Sequence, residues 1–221
     1  MCENNFNNVK NIFSSCQFLN SLDLSYLNTN NIIDMENMLI NCSSLTTLNL
    51  SNLNTNNVIN MSGIFCGCSS LTYLDLSNFN TYNVTNMSYM FYGCKSLITL
   101  NLYNFNTNNV IDMSYMFFNC YSLTSLNVSN FNTNNVKNMN CIFSHCSLLT
   151  SLNLSNFNTN YVNDMSYMFS HCFSLMYLNL SEFKINNVVE IKGIFSNINK
   201  KCNIITKEPT LLNYFNEYIK K

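Results

Sequence analysis

The chain contains no arginine, no alanine and no tryptophan, and has one proline and four glycines in 221 residues. Charge is scarce as well: ten lysines stand against eleven acidic residues, and charged residues are 10% of the chain. Without a basic excess nothing balances a phosphate backbone, which argues against nucleic-acid binding. No long apolar run is present, and the N-terminal stretch MCENNFNNVKNIFSSCQF carries no basic region ahead of one. The sequence therefore offers neither a secretory signal nor a membrane-inserting span, and by itself reads as intracellular. A nucleophile elbow, a phosphate-cradling glycine loop and a zinc-protease motif are all missing. An enzyme is not expected, nor is a cofactor.

What is there is a repeat. Asn fills about a fifth of the chain, and most of it recurs on a fixed period of 26 residues. Units start at Leu19, Leu45, Leu71, Leu97, Leu123, Leu149 and Leu175 with no gap between them. Self-similarity at such a period marks a stacked-repeat protein. Counting from each first Leu, positions 4 and 6 are apolar (Leu74 and Leu76 in one unit) between polar neighbours, the alternation of a short strand with one buried face. Positions 17, 20, 21 and 24 (Met87, Met90, Phe91 and Cys94) have the spacing of one helical face, so a short α or 3₁₀ helix is expected there. Asn or Asp at position 16 suits a cap, and Gly67, Gly93, Asn41 and Asn119 at position 23 suit a left-handed helix end.

About twenty residues separate consecutive strands, so the strands must run parallel, with right-handed crossovers. The expected fold is an α/β repeat solenoid of about seven units, with a short parallel sheet on one face and short helices or 3₁₀ turns on the other. The expected organisation is one continuous domain: an N-terminal half-repeat cap over 1–18, repeats over 19–200, and a C-terminal strand and capping helix over 201–221. Pro209 suits a first helical turn, and Leu211, Leu212, Phe215, Tyr218 and Ile219 give an apolar helical face over 207–219.

The combined motif L-x-x-L-x-L-S-N-F-N-T-x-N-V-x-x-M-S-x-M-F-x-x-C-x-S resembles the BspA-like leucine-rich repeats, in particular the Asn-rich "NVTNMSYMF" subtype of microbial surface proteins. The resemblance runs over about residues 7–199. It implies a leucine-rich-repeat solenoid and a protein-binding or adhesion role at the cell surface or outside the cell.

Four groups of residues stand out within this frame. Cys16, Cys42, Cys68, Cys94, Cys120, Cys146 and Cys172 lie on the period and read as a column of reduced core thiols. His145-Cys146 and His171-Cys172 lie one coil apart, but position 24 should point inward, so no metal site is expected. The stacked Asn residues at positions 8, 10 and 13 should satisfy backbone groups in the turns. The outward strand face is the expected binding surface. Its aromatic and polar residues Tyr73, Asp75, Asn101, Tyr103, Asn127, Tyr177 and Asn179 are the partner-binding candidates. The partner expected there is a protein or a glycan, and the chain a monomer. The alternative is a structural, self-assembling repeat protein without a ligand, with ice binding by the flat Thr and Asn ladders as a remote third reading.

Overall fold

The computed structural model describes residues 8–185, 187, 188 and 190–220. Cys2 and the first residues of the expected half-repeat lie outside them. Periodic apolar positions form one continuous core. Met87, Met90, Phe91 and Cys94 are fully buried, and so are their equivalents from Met35 to Cys172.

The side of the coil expected to be helical is not a helix. In every coil, from Asn11 and Ser15 to Gly193 and Asn197, positions 19 and 23 have positive φ. Even-numbered amides close β-turns: Met90, Tyr92 and Cys94 donate to the carbonyls of Met87, Tyr89 and Phe91. Odd-numbered amides leave the coil. Met87, Tyr89, Phe91 and Gly93 donate to Asp112, Ser114, Met116 and Phe118 of the next coil at 2.7–3.0 Å. The result is a ribbon of consecutive β-turns; the first and third of each coil take positive φ at their third residue (Tyr89, Gly93), as type II turns do, and the turn between them does not. Each coil is thereby bonded to its neighbour.

The physical reason lies in the donors. A helix directs all its amides along its own axis and offers none to a neighbour, whereas a ribbon that frees every second amide can bond coil to coil. Its cost is a left-handed residue every fourth position. Asn and Gly accept that conformation readily. At Gly67 (φ +74°) a Cβ would also run into the side chain of Asn41. Tyr89, Tyr115, Cys141 and Tyr167 adopt it against their preference.

Position 16 begins the ribbon. Its Asn or Asp Oδ1 accepts the amide two residues on, as from Ser62 to Asn60 (3.0 Å) and from Ser114 to Asp112 (2.8 Å). The residue caps a turn instead of a helix. Parallel bridges link these positions without a break from Asn8 through Asp34, Asn60, Asn86, Asp112, Asn138 and Asp164 to Glu190.

The strand face is discontinuous. β1 (Ser21–Asp23) pairs with β2 (Thr47–Asn49); β3 (Ser151–Asn153) pairs with β4 (Tyr177–Leu180), which pairs with β5 (Asn203–Thr206), all in parallel and in register at the repeat period. Among the described residues no strand pairing joins β2 to β3 across the units that start at Leu71, Leu97 and Leu123. The expected parallel sheet is thus two short sheets at the ends of the stack. Ring spacing also changes across the coil. Repeat-related rings stack at 4.7–4.8 Å on the outer ribbon (Tyr89–Tyr115, Tyr92–Phe118). They lie 5.6–5.8 Å apart in the Phe65–Phe91–Phe117–Phe143 column of the core. At position 9, towards the strands, Phe131 and Phe157 are 6.4 Å apart. The rings lie farther apart towards the strand side, and in the middle of the stack backbone bonds between coils stop short of positions 3–5: the Thr124 amide still reaches the Ile98 carbonyl at 3.2 Å, but among the described residues none joins Leu74, Leu100 and Leu126 or their neighbours.

Between the two faces, side chains replace the missing ladder. Thr107 Oγ1 accepts the amide of Asn132 (2.7 Å) and donates to its carbonyl (2.8 Å), and Thr55, Thr81 and Thr133 make the equivalent bond to the next coil's carbonyl. Asn104 Nδ2 donates to the carbonyls of Leu76 (3.0 Å) and Phe79 (2.7 Å), and Asn83 Nδ2 to Asn56 (2.8 Å). At position 10, Asn80 Nδ2 donates to Asn56 Oδ1 (2.8 Å). One helix is present among the described residues, α1 (Pro209–Ile219), which buries Leu211 and Phe215; Phe215 meets Phe195 of the last coil edge-on at 5.7 Å.

Candidate functional site

The opened strand face carries the candidate site. Tyr73, Asp75, Asn101, Tyr103 and Asn127, all expected from the sequence, line one depression of about 300 Å³ that spans three coils. A second depression of about 300 Å³ shares Asp75 and Ser77 and reaches back to Asn49, so the two form a groove over the unpaired steps. Tyr73 and Tyr103 rim it and are each 68% exposed. The floor is Leu74, Leu76 and Leu100. These leucines stay buried beneath the rim: Leu74 is 4% exposed and Leu100 7%.

Local chemistry fixes the polar groups. Each position-5 side chain turns its Oδ1 back to the amide two residues on: Asp75 to Ser77 (2.9 Å), Asn101 to Tyr103 (3.2 Å), Asn127 to Ser129 (3.0 Å) and Asn179 to Ser181 (3.0 Å). That bond closes an Asx turn at the end of the extended segment. It also sets the electrostatics. The Ser77 amide, and after it the Ser77 hydroxyl, hold the exposed Asp75 carboxyl below its usual value, so it is charged at neutral pH. Asp75 is the one charged residue in the Tyr73–Tyr103 depression. The groove is therefore aromatic, rich in amide and hydroxyl groups, and weakly anionic.

Tyr177 and Asn179 are not brought to this groove. They lie in β4, paired on both sides by β3 and β5, and are half-buried. Sequence reasoning missed the floor residues Leu74, Leu76 and Leu100 and the exposed lining residues Thr99 and Ser125. Every unit has an apolar residue at positions 4 and 6, so nothing local distinguishes an open strand face from a closed one.

The cysteine and histidine groups take other places. Cys94 Sγ donates to the Phe65 carbonyl and Cys146 Sγ to that of Phe117, each at 3.2 Å in the core. Burial raises these thiols above their ordinary pKa, Cys146 to about 12, so they stay protonated at neutral pH. His145 and His171 lie on the ribbon face with their rings stacked 4.1 Å apart, turned away from the thiols beside them. Among the described residues no three His, Cys, Asp or Glu side chains converge on a common point. No helix among them is long and apolar enough to cross a membrane.

Solved structures similar to this chain include three leucine-rich proteins. A leucine-rich-repeat protein of T. pallidum (TpLRR) has a TM-score of 0.46 at 18% identity, over 75% of this chain and 69% of that one. A leucine-rich-repeat protein from Bacteroides ovatus has a TM-score of 0.45 at 14% identity, over 90% and 66%. A leucine-rich cell surface protein from Faecalibacterium prausnitzii has a TM-score of 0.38 at 17% identity, over 85% and 64%. The chain thus spans about two thirds of the length of each. No curated protein matches it. The sequence pattern described as "Mycoplasma protein of unknown function, DUF285" matches residues 7–125 and 97–207, most of the chain, and the protein belongs to that family.

Proposed function

We propose that the protein is a non-enzymatic interaction module that binds a protein or glycan partner through the groove between Tyr73 and Tyr103, in a surface or adhesion role. One observation carries this reading: two tyrosines stand mostly exposed over a groove that opens where the strand ladder is interrupted. Large, rigid aromatic side chains beside a partly apolar floor are the usual anchors of an interface. The unpaired backbone amides and carbonyls of the same coils add hydrogen-bonding capacity that a closed sheet would lack. Family membership and the leucine-rich-repeat pattern support an interaction role, and right-handed winding of the coils goes with it. Ice binding has no observation of its own.

The test compares wild type with the Tyr73→Ala/Tyr103→Ala double variant in partner capture from producing cells and on a glycan array. A loss of about tenfold or more in affinity is expected for the double variant, with folding intact by circular dichroism. Tyr177→Ala, outside the groove, should bind as wild type does. Equal binding by wild type and the double variant would exclude the groove.

A further inference from the structure

Each step of the stack joins a row of amides at positions 17, 19, 21 and 23 to the carbonyls at positions 16, 18, 20 and 22 of the next coil. The first and last coils of the described stack therefore carry opposite halves of this pattern. At the first coil, among the described residues, the carbonyls of Asn8, Lys10, Ile12 and Ser14 receive no such bond. At the last coil the amides of Gly193 and Phe195 have no acceptor among the described residues. They face α1, whose own carbonyls run along its axis, and a cavity of about 230 Å³ lies between that coil and Tyr214, Glu217 and Tyr218 of the helix. The side chains match the backbone. Position 20 is buried throughout the interior (Met38, Ile64, Met90), yet Ile12 in the same position of the first coil is 51% exposed.

We infer that the two ends are complementary docking surfaces for a second copy of this chain, and that α1 is the removable cover that keeps them apart. The donor row of one copy is in register with the acceptor row of another, because both derive from the same repeat. Ile12 of the incoming copy would take the buried place that position 20 holds inside the stack. Such head-to-tail contact does not close on itself and builds linear assemblies. The cover is lightly held. It buries Leu211 and Phe215 and is latched at its root by Lys207–Glu182 (2.8 Å) and Lys184–Glu208 (3.6 Å). Release of α1 exposes a ready edge, and the inference does not depend on the Tyr73–Tyr103 groove.

The experiment uses the full chain with Leu211→Asp and Phe215→Asp, which unseat α1, followed by light scattering over a concentration series. The expected result is a several-fold rise in mass with concentration, where wild type stays monomeric. Adding Ile12→Asp, at an exposed position, should return the mass to that of a monomer. Lys207→Glu, which opens only the latch, should shift the curve in the same direction by less, and serves if the double substitution unfolds the chain. A folded monomer in every variant would overturn the inference, as would clumping that Ile12→Asp leaves unchanged.

Discussion

Thr107 shows how single residues hold coils together. Its hydroxyl both donates to and accepts from the backbone of Asn132, and the residue is fully buried. Thr107→Val keeps the shape and strands a buried amide and carbonyl, so a loss of about 2–4 kcal/mol is expected in urea denaturation. His145 gives the stack a pH dependence. Burial, and then the charge of neighbouring His171, lower its pKa from the ordinary 6.5. The unfolded chain then binds the proton more readily than the folded one. Stability should fall as pH drops below about 6.5 and level off once the folded His145 has titrated. Urea midpoints compared between about pH 7.5 and 5.5 should show the decline. His145→Asn, which suits the positive φ there, should remove it.

The ribbon is the element that carries the fold, and it was only half legible in the sequence. The inward set Met87, Met90, Phe91 and Cys94 follows directly from the residues, because the i, i+3, i+4, i+7 spacing selects one face whatever the backbone does. The same spacing concealed the backbone's nature: a ribbon of turns and a helix place those four side chains alike. The signal that separates them was present in Asn37 with Asn41 and in Gly63 with Gly67, left-handed formers four residues apart. Tyr89, Tyr115, Cys141 and Tyr167 disguise it elsewhere. Stacking of Tyr89 on Tyr115, worth about 0.5–1.5 kcal/mol, offsets the strain of about 1–2 kcal/mol per left-handed residue. The buried Phe column should matter more. Phe117→Ala, which removes a ring stacked on Phe91 and Phe143, should cost about 3–5 kcal/mol by the same denaturation assay.

At the scale of the molecule, stability is a sum of coil-to-coil contacts concentrated on one side. Ribbon bonds hold that side at ladder spacing at every step, whereas the strand side pairs only at the two ends of the stack. Five of the seven candidate binding residues lie in the opening because they occupy outward positions of coils whose strands no longer pair; Tyr177 and Asn179 occupy the same positions where β4 is still paired. Which coils open depends on the accumulated geometry of the whole stack, and no window of sequence encodes it. Native-state hydrogen exchange, read amide by amide, tests this account most directly. The ribbon amides of Met87, Tyr89, Phe91 and Gly93 should be strongly protected. The amides of Leu74, Asp75, Leu100 and Asn101 should exchange much faster than that of Leu178 in β4. Equal, strong protection of positions 3–5 in every coil would mean a continuous sheet, and would contradict both the interrupted strand ladder and the groove built on it.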